Sequence, residues 1–311
     1  MQNQSFVTEF VMLGLSQNLN VQKILFAIFL LVYLATIGGN MIIVVTIIYS
    51  PALLGTPMYF FLAFLSFLDA CVSSAATPKM IIDFLCEKKI ISFECCMTQL
   101  FSLHFFSGTE MIILAAMAYD RYVAICKPLY YTSILTRRLC SILVAISWAG
   151  GFLHSIIQII FTLQLPLCGP NVIDHYMCDL FPLLKLACTD THIFVLLVFA
   201  NSGAICIIIF SLLLVSYGVI LFSLRAHSSE GRRKALSTCG AHVTVVVLFL
   251  VPCILIYARD TSAFSFEKNT LIFVNVLTPL LNPMVYTFRN KEMINSIKKM
   301  WKRMKMFFTR S

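Results

Sequence analysis

Seven stretches of this chain are long and apolar enough to cross a lipid bilayer, at about 25–49, 58–80, 97–119, 140–162, 195–222, 239–258 and 270–288. A hydrocarbon core of roughly 30 Å takes about 20 helical residues to span. Apolar residues run on continuously instead of alternating. That selects helices over barrel strands, because a backbone in lipid must satisfy its own hydrogen bonds. The 311 residues are 59% hydrophobic and 12% charged. Soluble domains run at about 45–50% and 25%, so a soluble globule and a disordered chain are both excluded. The first stretch is too long for a signal-peptide core and has no basic segment or cleavage site before it, so it is expected to stay in the mature protein. The expected fold is an all-α membrane protein, a seven-transmembrane helix bundle with a short amphipathic cytosolic helix after the seventh span. Residues 1–24 form the outer N-terminus, 25–288 the bundle and 289–311 the tail.

An odd number of spans puts the two ends on opposite sides. Of the 23 basic residues, 16 fall on the side of the C-terminus, among them Arg121, Arg137, Arg225, Arg232, Arg233 and Lys234. The positive-inside rule places that side in the cytosol, and charge so concentrated between apolar runs points to a membrane surface and not to nucleic acid. Asn3-Gln4-Ser5 is a glycosylation sequon, usable only if the N-terminus is lumenal. On the same side Cys96 heads the third span, and Cys168, Cys178 and Cys188 lie in the connection at about 163–194. These four can form disulfides there, in any of three pairings. The chain is thus expected in the plasma membrane, with its N-terminus extracellular.

Asn40, Asp69, Glu110 and Asn282 are polar groups within apolar spans. An ionisable group at mid-bilayer costs at least a few kcal/mol unless it faces a wet or paired interior. Helix–helix hydrogen bonding is one reading of Asn40, Asp69 and Glu110, and a small hydrated cluster holding a cation or proton is the other. The chain has no C-x-x-C pair, and Cys239 with His242 one turn away supplies too few ligands for a metal site, so no metal or cofactor is expected. No G-x-S-x-G, H-E-x-x-H or Gly-rich phosphate loop supports an enzyme. A transporter or channel is disfavoured by the lack of a visible inverted repeat and of paired broken helices. After Arg289, Met293, Ile297, Met300, Trp301 and Met304 fall on one face, with lysines and Arg303 mainly opposite. Such a helix is expected to lie among lipid headgroups, and with no cysteine after Cys253 no palmitoyl anchor is expected on it.

Several motifs carry a resemblance. Gly39-Asn40, Asp69, Asp120-Arg121-Tyr122, Trp148, Pro252 and Asn282-Pro283-Met284-Val285-Tyr286 occur in order, one set in each of six spans. Together they resemble the rhodopsin-like G-protein-coupled receptors. Longer strings narrow the match: Pro57-Met58-Tyr59-Phe60-Phe61-Leu62, Met117-Ala118-Tyr119-Asp120-Arg121-Tyr122-Val123-Ala124-Ile125-Cys126, Lys234-Ala235-Leu236-Ser237-Thr238-Cys239-Gly240-Ala241-His242, and Pro279-Leu280-Leu281-Asn282-Pro283. These resemble odorant receptors over essentially the whole chain. Gly240-Ala241 departs from the family, which often has a serine beside the histidine.

The resemblance implies a small-molecule odorant as ligand and a heterotrimeric G protein of the stimulatory olfactory type as partner, raising cyclic AMP, with membrane lipid as surroundings. It makes Asp120, Arg121, Tyr122, Tyr217, His242, Asn282, Pro283 and Tyr286 the activation switch. Pro252 removes a backbone hydrogen bond, so that the sixth span can bend. In the third span His104, Ser107, Gly108 and Met111 recur at i, i+3, i+4 and i+7, and so share a face. Asn201, Ser202 and Ile205, then Cys253, Ile254 and Tyr257, then Asn275, stand at similar depth, where the family binds ligand. An amine receptor would carry Asp where Leu103 stands, and a retinal protein would carry a lysine within 270–288, which has none. An uncharged, volatile, moderately hydrophobic ligand is expected.

Overall fold

A computed structural model describes residues 7–168, 171–226, 228–257, 264–288 and 290–308. Among these, seven helices are long and apolar enough to span a membrane. They are α1 (Leu19–Ile48), α2 (Pro57–Asp83), α3 (Phe93–Cys126), α4 (Arg137–Leu163), α5 (His192–Ser223), α6 (Ser229–Tyr257) and α7 (Phe264–Ile272, continued by Thr278–Phe288). A further helix, α8 (Lys291–Phe308), follows. Asn3, Arg259 and Arg289 lie outside the described residues, as does the Tyr257 side chain.

Several helices outrun the apolar stretches that announce them. The cause is visible in their caps. Asn18 Oδ1 accepts the N–H groups of Asn20 at 2.9 Å and Val21 at 3.3 Å, starting α1 six residues before the apolar run. Ser92 and Thr136 cap α3 and α4 in the same way, each at 3.2 Å. At its other end α3 continues seven residues past the expected boundary, and its 34 residues make it about 50 Å long. Hydropathy measures the slab of hydrocarbon, whereas backbone hydrogen bonding continues through the interface. For the same reason α6 begins at Ser229. Arg232, Arg233 and Lys234, expected in a loop, stand on its first turns.

Packing follows membrane rules. Leu31, Leu34, Ile48, Leu212 and Phe222 are exposed on α1 and α5, while Asn40, Asp69, Glu110 and Asn282 are buried. The α3–α4 crossing is close because Gly151 has no side chain. A Cβ there would stand 2.7 Å from the Phe105 carbonyl, which no relaxation of a side chain relieves.

One end of the bundle carries two disulfides, Cys96–Cys178 and Cys168–Cys188, which settles a pairing that the sequence leaves open. The same end holds a small sheet that the sequence reading does not contain. Its central strand β1 (Glu9–Met12) lies antiparallel to β2 (Ile90–Ser92) and parallel to β3 (Val172–Ile173), with Phe10 opposite Ile91 and Val11 opposite Val172. Phe10, Met12 and Ile173 are buried beneath it with Cys96 and Cys178. At the Arg121 end, α8 packs on α1 and the second half of α7, and Tyr59 of α2 reaches it by hydrogen bonds. Asn290 Oδ1 caps α8, accepting from Glu292 N at 3.0 Å, and the Tyr59 hydroxyl donates to Glu292 at 2.8 Å.

Candidate functional site

A cavity of about 70 Å³ opens between α3, α4, α5, α6 and α7 in the disulfide half of the bundle. The face of α3 marked by helical spacing lines it in full: His104, Ser107, Gly108 and Met111. Cys253 from α6 and Asn275 from α7 join them. Asn201, Ser202, Ile205 and Ile254 do not line it.

The difference on α5 has a local cause. Residues Phe199–Gly203 form a π-helical turn, which holds more residues per turn than an α-helix and rotates everything after it. Cys206 therefore faces the cavity where regular spacing points to Ile205, and its thiol lies 3.5 Å from Met111 Sδ. Asn201 turns instead toward α4, donating to Gln158 Oε1 at 2.8 Å and to the His154 carbonyl at 3.2 Å. A second π turn, Phe273–Leu277, carries Val274 and Asn275 into the lining. Asn275 Nδ2 lies 3.7 Å from Met177 Sδ.

Two polar residues of α4 that the sequence reading misses complete the site, His154 and Gln158. The His154 ring sits 5.5 Å from that of His104. Gly108 makes room for it, since a Cβ there would meet His154 Cδ2 at 3.1 Å. The lid is the connection between α4 and α5, which contributes Met177, Asp179, Leu180 and Phe181. Beside the disulfide to α3, Cys178 N donates to Gln99 Oε1 at 2.8 Å, and Gln99 donates to the Ala75 carbonyl of α2 at 3.0 Å. Asp179 places a carboxylate in the lining, although it has interactions of its own within the protein.

Deeper, Asn282 Nδ2 donates to both Asp69 oxygens, at 2.8 and 3.1 Å. Asn40 donates to the Thr36 and Pro279 carbonyls at 3.0 and 2.9 Å. Glu110 has no hydrogen-bond partner and lies within electrostatic range of Asp69. Toward the far end, Arg121 Nε donates to Asp120 Oδ2 at 2.8 Å, and the Tyr131 hydroxyl donates to Asp120 Oδ1 at 2.7 Å. Burial and that carboxylate hold the Tyr131 phenol well above its ordinary pKa, so it stays a neutral donor. Tyr217 of α5 bonds His242 of α6, and the Tyr286 hydroxyl of α7 is buried without a partner. Tyr122, half-buried, stacks on Tyr119 at 6.5 Å. Pro283 lies buried against Gly39, where a Cβ would come within 3.5 Å of it.

A family profile described as olfactory receptor matches residues 29–304. The chain belongs to the olfactory receptor family. Among similar relatives, human olfactory receptor 4A47 is 54% identical over 97% of this receptor and 98% of its own length. Human olfactory receptor 4A5 is 56% identical over 96% and 95%, and mouse olfactory receptor 4B13 is 56% identical over 97% and 99%. Membership makes the protein a multi-pass G-protein-coupled receptor of odorant-sensing type and not an enzyme.

Proposed function

We propose that this olfactory receptor takes a small, mostly uncharged hydrophobic volatile into the α3 cavity and activates a stimulatory heterotrimeric G protein of the olfactory type, raising cyclic AMP. The supporting observation is the lining itself. Leu103, Met111, Phe249 and Val274 give it an apolar body, and His104, Ser107, Gln158 and Asn275 give a few polar points, the mix expected of a small-molecule site. At about 70 Å³ it is well below the roughly 300–1,000 Å³ of drug-sized pockets, which limits the ligand to few heavy atoms. Asp179 in the lid favours a second reading, a small volatile amine.

In this reading residues 1–24 are extracellular, 25–288 form the receptor domain, and 289–311 are a cytosolic tail in the plasma membrane. Both disulfides stand at the end opposite to most basic residues, which agrees with that orientation. Asn3 then lies where it can be glycosylated. Ligand shifts the population toward a state in which Asp120 releases Arg121, α6 bends at Pro252, the Tyr217–His242 bond opens, and Tyr217 and Tyr286 turn toward the guanidinium. The Asn282–Asp69 pair, with Asn40, Glu110 and Pro283, forms the polar centre through which the change passes.

The test measures cyclic AMP in cells expressing the receptor with an olfactory-type stimulatory G protein, against a volatile panel that includes amines. Arg121→Ala at matched surface expression runs beside it. A dose-dependent rise that Arg121→Ala abolishes supports the reading, and silence at full surface expression overturns it. Antibody access to an N-terminal but not a C-terminal tag in intact cells tests the orientation.

A further inference from the structure

A second, larger cavity of about 670 Å³ lies at the Arg121 end, between the end of α1, the turn at Pro51 and α8. Thr46 closes its floor against Met300, Oγ1 to Sδ at 3.7 Å. On α8, Ser296, Lys299, Met300 and Arg303 recur at i, i+3, i+4 and i+7 and line one wall together. Tyr49 and Ser50 supply hydroxyls from the other wall. Among the described residues no acidic side chain lines the cavity, and neither Lys299 nor Arg303 is in an ion pair.

Two unpaired cations beside three hydroxyls form a cradle for a phosphorylated polyol. The cavity is far too large for a lone ion. It also stands at the foot of an exposed apolar stripe, since Ile42, Val45 and Tyr49 follow one another at i, i+3 and i+7 on α1 and are open to the membrane. A charged cradle continuous with an apolar stripe fits an amphiphile better than a soluble anion.

We propose that this cavity binds the headgroup of one phosphorylated inositol phospholipid of the inner leaflet, its acyl chains lying along α1. The leaflet rests on the cytosolic orientation of α8 proposed above. Binding measured in detergent or in nanodiscs, where both faces are open, does not depend on that orientation, so the two readings fail separately.

The experiment is native mass spectrometry of the full receptor, titrated with phosphatidylinositol bisphosphate, with phosphatidylserine at matched charge and with soluble inositol trisphosphate. The expected result is one inositol phospholipid per receptor. Its affinity should fall roughly 10- to 30-fold in Lys299→Gln/Arg303→Gln, at about 1 kcal/mol per basic residue near a headgroup. The control Lys298→Gln/Lys302→Gln removes equal charge from α8 positions outside the cavity and should cost less than about threefold. Equal loss in both double variants overturns the proposal in favour of diffuse attraction. Equal affinity for phosphatidylserine overturns the headgroup assignment, and equal affinity for inositol trisphosphate overturns the lipid. Unchanged melting temperatures in both variants show that the comparison is between folded receptors.

Discussion

The two ends of this bundle are held by different kinds of interaction. At the disulfide end, two covalent links and a three-stranded sheet bind the N-terminal segment, the α2–α3 connection and the α4–α5 connection into one cap. At the Arg121 end no disulfide stands among the described residues, and apolar packing is joined by polar contacts such as Tyr131 with Asp120, Tyr217 with His242, and Tyr59 with Asn290 and Glu292. Such polar contacts can exchange partners at about 1 kcal/mol per bond, whereas a disulfide-tied sheet cannot. In the proposed reading the cap keeps the shape of the α3 cavity while the polar contacts of the opposite end exchange partners. That division suits a receptor that must recognise at one end and open at the other.

The largest expected effect is at Cys96. Its link to Cys178 spans 82 residues of sequence and ties the lid to α3, so Cys96→Ser should cost at most about 4.5 kcal/mol and remove most receptor from the cell surface. Cys168→Ser, which opens a separation of 20 residues, should cost less. Flow cytometry of a surface tag checks the order, and equal loss in both would mean that the cap is not graded in this way.

Next comes the pH response of the cap. His175 is buried in the lid and its Nδ1 accepts Met177 N–H at 3.3 Å. Burial, with Lys268 nearby, pushes its pKa down to about 4. The folded receptor thus keeps this ring neutral while the unfolded chain, titrating near 6.5, takes up a proton first. Stability is full above pH 6.5 and is lost as pH falls toward 4, by up to about 3 kcal/mol. Thermal melts of purified receptor from pH 7.5 to 4.5 should show the decline, flattened in His175→Gln. A decline of the same size in that variant would assign it elsewhere.

The two ends also differ in how far the sequence reveals them. The seven spans are legible because lipid demands unbroken apolar length, and the Asp120-Arg121-Tyr122 string marks where α3 reaches the Arg121 end. On α3 the regular helix keeps His104, Ser107, Gly108 and Met111 on the one face that their spacing marks, at the depth that the resemblance points to. Where helices depart from regular geometry, spacing fails. The π turn at Phe199–Gly203 exchanges Ile205 for Cys206 in the lining, and nothing in an unbroken apolar run announces it. His154 and Gln158 are hidden for another reason: which face of α4 turns inward is decided by its approach to α3 at Gly151. Strand β1 has four residues and gains its partners only from distant connections, so no local pattern marks it.

At the adjustable end, Tyr131→Phe removes the hydroxyl that holds Asp120 while leaving the Asp120–Arg121 contact in place. A hydrogen bond to the buried Asp120 carboxylate is worth about 1.5 kcal/mol, so ligand-free signalling should rise roughly tenfold. Basal cyclic AMP at matched surface expression measures it. If the basal level stays at wild type while ligand responses persist, the Asp120 pair is not what restrains this end.

The smallest effect is expected inside the cavity, where it sharpens the contrast between cap and switch. An alanine at Gly108 would place its Cβ 3.1 Å from His154 Cδ2 and 3.4 Å from Gly151 Cα. The imidazole must move by a few tenths of an ångström, because the α4 backbone behind it is fixed by close crossing. Gly108→Ala should then shift the dose–response midpoint of an active odorant by roughly threefold, with basal signalling and surface expression unchanged. The cause is separable in a double-mutant cycle, because His154→Ala removes the ring against which the new methyl presses. If the two substitutions couple, Gly108→Ala in the His154→Ala background should shift the midpoint less than twofold. Shifts that simply add would mean that the methyl acts on the ligand directly and not through His154, and Gly108 would then belong to the contact surface and not to the support behind it.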